Sequence, residues 1–144
     1  MNGEPKIDDS PLTVARTTAS LQAFEAWLER RVEALGLAPK AAYALRLCLE
    51  EAVMNSFTHG DVEGEGEHPI RVWAGLKDGA PAAWIEDDGP PFDPVAAVLP
   101  DKPTTLASAE VGGAGLRLMR HYAKQMNYRR IDARNRLELL FEAA

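Results

Sequence analysis

The sequence predicts an α+β fold: a two-layer α/β sandwich in which a mostly antiparallel, mixed sheet is covered on one face by three helices. Three observations predict it. Long stretches repeat apolar residues every three or four positions, the period of a helix. Shorter stretches alternate apolar and polar residues, the period of a strand. The strand-like stretches come mostly in pairs joined by short turns, which favours antiparallel pairing with helices collected on one side.

The elements follow in order. Residues 1–10 are polar and read as a frayed tail ahead of a single domain over 11–144. "PLTVA" (11–15) alternates weakly and suits an edge strand. Residues 21–35 put Leu21, Phe24, Leu28, Val32 and Leu35 on one helical face, with Ser20 as the N-cap and Gly36 as the stop. Pro39 suits the first turn of a second helix, which runs to about His59 and stops at Gly60. After the polar turn "DVEGEGEHP" (61–69), "IRVWAGL" (70–76) and "AAWIED" (82–87) form a hairpin around "KDGAP". From Gly89 to Gly115 there are five prolines, four glycines and little periodicity. A structureless segment of that length inside a compact domain is usually functional or mobile. A third helix is expected over 116–124, then a closing hairpin of 126–131 and 136–141 around "DARN".

Bulk properties narrow the function. A chain of 144 residues buries roughly 68–70% of its unfolded surface, enough for one proper core. Its net charge is −6 with no long basic run, which argues against direct nucleic-acid binding. Cys48 is the only cysteine, so one chain forms neither a disulfide framework nor a thiolate zinc site, and Cys48 reads as a small buried hydrophobe. The N-terminus lacks an apolar signal core and no apolar stretch is long enough to span a bilayer. A soluble, cytoplasmic protein without membrane association is the expectation.

Three motifs carry chemistry. In "EEAVMNSFTHG" (50–60), Glu51, Asn55 and His59 recur every four residues and so share one helical face. The stripe falls on the shoulder of the apolar set Leu45, Cys48, Leu49, Ala52 and Val53. Polar groups there are costly to desolvate unless another part of the chain, or a ligand, satisfies them. In "WIEDDGPPFDP" (84–94) a strand ends in carboxylates and Gly89. Such an Asp either accepts hydrogen bonds from an exocyclic amine or belongs to an ordinary acidic turn. In "VGGAGLRLMRHY" (111–122) glycines precede a helix, leaving either an anion site of bare N–H groups or a plain connector. No Walker A or dinucleotide fingerprint is present. His59 suits a helix end, and His121 a surface or core position. Trp27, Trp73 and Trp84 read as packing residues.

The motifs in this order, with the terminal "NRLELLF" (135–141), resemble the GHKL (Bergerat-fold) ATP-binding superfamily of gyrase, MutL and histidine kinases. Within it, the chain is most similar to the stand-alone anti-sigma-factor serine/threonine kinases of bacterial partner switching. The resemblance covers about residues 12–141. It implies ATP and Mg²⁺ as cofactors, with Glu51 as the general base and Asn55 as the metal-binding residue at the phosphates. It implies Asp87 on the adenine amine with Gly89 beside it. Gly113, Gly115 and Leu116 would open the phosphate-binding helix, and residues 95–111 would form the ATP lid, with Lys102 its only basic residue. The implied partners are a STAS-domain anti-anti-sigma protein, phosphorylated on Ser or Thr, and a sigma factor or similar regulator. An ATP-gated binding switch and an ATPase acting on water remain the alternatives. Lys124 departs from the pattern, since many relatives are acidic there. Leu47 and Met54, on the far side of the second helix, are candidate contacts for a homodimer or a partner.

Overall fold

In the computed structural model, which describes residues 10–59, 69–96 and 114–143, the chain runs β1 (Leu12–Val14), α1 (Thr18–Leu35), α2 (Pro39–His59), β2 (Ile70–Lys77), β3 (Ala80–Asp87), α3 (Ala114–Tyr122), β4 (Gln125–Ile131) and β5 (Arg134–Leu140). The strands form one sheet in the order β1-β2-β3-β5-β4. Each pairing among the described residues is antiparallel, in line with the mostly antiparallel sheet expected. Expectations for the tail before Ser10, for Gly60 and the turn over 61–68, and for 97–113 with Lys102 and Gly113 lie outside the described residues.

Local chemistry moves some boundaries. Helix α1 starts before Ser20, because Thr17 takes the capping role: its backbone is extended and its hydroxyl accepts from Ser20 N at 3.1 Å. At the other end Gly36, with φ 64°, turns left-handed and its N–H returns to Glu33 O. The first hairpin turns on only two residues, Asp78 (φ 52°) and Gly79 (φ 81°), so Ala80 and Pro81 enter β3. Pro81 lacks an N–H, yet its carbonyl accepts from Phe141 N at 3.0 Å. The closing hairpin turns on Asp132 (φ 50°) and Ala133 (φ 63°), which brings Arg134 and Asn135 into β5. Helix α3 ends at Tyr122, leaving Lys124 beyond it with its N–H on Leu140 O at 2.7 Å.

The core lies between the helices and one sheet face. Leu45, Cys48, Leu49, Ala52 and Val53, the apolar set of α2, are all buried there with Phe24, Leu28, Val72, Ile85 and Leu139. Burying each large aliphatic side chain is worth about 1.5–3 kcal/mol, an upper estimate for a compact unfolded chain. Arg31 is buried too, and its Nε donates to Ala74 O at 2.6 Å, which docks α1 on β2 and satisfies that nitrogen. On the opposite sheet face Trp73 and Trp84 stack with centroids 6.5 Å apart, and Arg136 lies over Trp84 while bonding Glu86 at 3.0 Å. These two tryptophans, half-buried, pack on each other, with Trp84 under Arg136.

Candidate active site

Helix α2 brings its polar stripe to the border of the core. Glu51 and Asn55 are half-buried there. Asn55 faces a cavity between α2, α3 and the β3–β5–β4 part of the sheet, holding about 500 Å³ with its open mouth included. Ala52, Ile85, Met119 and Leu137 give it apolar walls, and Ser56, Asp87, Tyr128 and Asn135 add polar groups. Pro90, Phe92 and Pro94 complete its lining, with Phe92 39% exposed. A mostly apolar concavity with a few converging polar groups has the general form of a small-molecule site.

Asp87 ends β3 and is tightly held. Its Oδ1 accepts from Gly89 N at 2.9 Å and from Asn135 Nδ2 at 2.9 Å; its Oδ2 accepts from Ser56 Oγ at 2.9 Å. Gly89 is buried, and its carbonyl accepts from Arg130 Nη1 at 2.7 Å, so its observed work is to anchor the turn under Asp87. The next loop is tied down by Arg120, whose Nη2 donates to Pro94 O at 2.8 Å.

At the other side α3 begins against α2. A Cβ built on Gly115 would lie 2.6 Å from Glu51 Oε2 and 3.7 Å from Asn55 Oδ1, so a side chain there would push the end of Glu51 aside. Leu116 is buried in the core, leaving its main chain to serve the helix start. Six predicted residues therefore gather around one cavity and its edge: Asn55 and Asp87 on the wall, Gly89 beneath Asp87, and Glu51, Gly115 and Leu116 where the two helices meet. The His59 side chain lies outside what is described, and His121 is exposed and edge-on to Tyr122 at 4.7 Å.

Ser56, Tyr128, Arg130 and Asn135 were not singled out from the sequence. Asn135 left a signal: 135, 137, 139 and 141 alternate inward and are buried, and Asn135 is the polar residue in that series. Behind Glu51, burial pushes the Cys48 thiol up to about 12, with the Glu51 charge adding to it. Burial also raises Glu50, helped by Glu25 and Glu51 and opposed by Arg46.

Fold and cavity define a class: a two-layer sandwich with an open cavity between its helices and one end of its sheet. The chain belongs to the histidine kinase-like ATPase domain family, whose model matches residues 11–141, and it is thus an ATP-binding domain of kinase-like type. It is 33% identical over 141 residues to the serine/threonine-protein kinase BtrW of Bordetella bronchiseptica, covering 96% of each chain. Its fold matches the histidine kinase domain of the Erythrobacter litoralis EL346 blue-light activated histidine kinase with a TM-score of 0.52 at 14% identity. That match covers 87% of this chain and 64% of the other, so the chain spans less than two thirds of that structure. No described helix is long and apolar enough to cross a membrane.

Proposed function

We propose that the chain is an ATP-dependent serine/threonine protein kinase that acts in the cytoplasm, phosphorylates an anti-anti-sigma (STAS) protein and sequesters a sigma factor or similar regulator. One observation carries most of the weight: Asp87 and Asn55 face the same cavity, and Asn55 with Glu51 meets the glycine start of α3. Adenine then lies against Asp87 and the apolar wall, and the phosphates extend toward Gly115, where N–H groups and the helix dipole favour negative charge. Glu51, one turn before Asn55, accepts the proton of a Ser or Thr hydroxyl as its oxygen bonds the γ-phosphorus and ADP leaves.

Asn55 would hold Mg²⁺ through its amide oxygen, a neutral hard donor on the cavity wall that suits this ion. When bound it would offset phosphate charge. The name of the Bordetella relative supports a protein hydroxyl over water as acceptor. The STAS substrate and the sigma factor rest on the sequence resemblance.

The test is affinity capture from native lysate with Mg-ATP, followed by mass spectrometry. A retained STAS protein carrying phosphoserine or phosphothreonine is the expected result. A partner retained without phosphate would replace the kinase with an ATP-gated switch, and phosphate released only to water would make the chain an ATPase.

A further inference from the structure

Asn135 stands directly across from Asp87 in the sheet register, is 7% exposed and has every polar atom engaged. Its Nδ2 donates to Asp87 Oδ1 at 2.9 Å, to Pro90 O at 2.8 Å and, at longer range, to Gly89 O at 3.4 Å. Its Oδ1 accepts from the Tyr128 hydroxyl, from Arg130 Nη1 at 3.1 Å and from Phe92 N at 3.4 Å. Acceptors thus surround one end of the amide and donors the other. Flipping it would set its oxygen against three oxygens, so the amide has one orientation.

That orientation helps fix which acceptor position of Asp87 stays free for a ligand. A carboxylate has about four acceptor sites. Gly89, Asn135 and Ser56 fill three, two on Oδ1 and one on Oδ2. The site left is an acceptor on Oδ2. It welcomes a 6-amino purine and opposes a 6-oxo purine, whose oxygen would face a carboxylate oxygen with no proton between them. Asn135 has no group left for the base itself.

We propose that Asn135 is a positioning residue for base selection: its locked amide holds the free acceptor of Asp87 in place and ties it to the loop over 89–92. This rests on the reading that Asp87 faces the exocyclic amine of the base. Charged or titratable groups on the surrounding elements are Glu51 on α2, Arg120 on α3, Tyr128 and Arg130 on β4, and the Arg134–Asp88 pair at 3.4 Å.

The experiment measures ATP and ITP affinity by calorimetry from pH 5.5 to 8 for the unmodified chain, Asn135→Leu and Asn135→Asp. The unmodified chain should prefer ATP by about tenfold or more, the scale set by one mismatched hydrogen bond. Asn135→Leu should lose most of that preference. In Asn135→Asp two carboxylates share one proton at acid pH and repel when both ionise. Its ATP affinity, relative to the unmodified chain at each pH, should therefore approach normal at pH 5.5 and fall as pH rises. A merely structural Asn135 would lower ATP and ITP affinity together and add no pH dependence, which would overturn the proposal. So would a preference for ATP that persists in both variants. If the unmodified chain itself shows no preference, the Asp87 reading fails first and takes this one with it. Where Asn135→Leu does not fold, Asn135→Asp, of the same shape, decides alone.

Discussion

At one end of the cavity Asp87 is fixed by three hydrogen bonds, from Ser56, Gly89 and Asn135; at the other, the Glu51 carboxylate occupies the space that Gly115 leaves open. The first end is specified by polar groups drawn from α2, β5 and the turn after β3. The second is specified by the lack of a Cβ. A hydrogen-bonded end should respond to substitution through affinity, because its partners choose what binds. A packed end should respond through rate, because packing sets where the carboxylate stands.

The sharpest way to break that contrast is Glu51→Gln. Phosphoryl transfer should fall by about 10²–10⁴, the usual worth of a general base, while ATP affinity stays unchanged. Single-turnover transfer beside calorimetry checks it, and retained transfer would remove Glu51 from the chemistry. Gly115→Ala should follow. The new methyl would sit 2.6 Å from Glu51 Oε2, and displacing that carboxylate should cost roughly 10²-fold in transfer. Glu51→Asp in the same chain, one methylene shorter, should recover part of the loss. Asp87→Asn belongs to the other end: ATP affinity should drop by about 1–3 kcal/mol as a donor replaces an acceptor. Unchanged affinity would refute the adenine assignment.

Two smaller predictions use the sheet as the background. Ala133 has φ 63° where the mirror-image turn prefers glycine. Ala133→Gly should stabilise the chain by about 1 kcal/mol after the added unfolded-state entropy is subtracted. Thermal melting should rise by roughly 2–4 °C with nucleotide affinity unchanged. Burial alone would raise Glu138, but hydrogen bonds from Lys77 and Asn127 and the charges of Lys77 and Arg136 outweigh it and lower its pKa from 4.5. A lowered carboxyl stabilises fully above that ordinary value and loses its contribution as pH falls through the folded value. Lys77 is half exposed, so Glu138→Gln should cost under about 1 kcal/mol at pH 7 and less still at pH 3, measured by urea unfolding.

The fold was legible where a single period ran unbroken. The apolar set of α2 was readable because residues 45, 48, 49, 52 and 53 obey one helical geometry, and all five are buried. Glu51, Asn55, Asp87 and Gly115 stood out because each sits inside a short local motif. Asn135 did not, because its meaning lies in Asp87, 48 residues earlier, and only sheet register brings the two together. Thr17 was passed over for Ser20 because both are good caps and only the backbone shows which residue is extended. Ala80 and Pro81 looked like turn residues until Asp78 and Gly79 proved sufficient to close the hairpin.

Cys48 has a practical consequence. It is the chain's only thiol, it is buried, and its pKa is pushed up to about 12, so almost none of it is thiolate at neutral pH. Maleimide and similar reagents should pass it by in the folded protein. A cysteine introduced at an exposed position such as Gln125 would then be the one site taking a fluorophore or spin label, with no native residue removed first. The same chain unfolded would expose Cys48 to alkylation, so mass added at that residue would report how often α2 leaves the core.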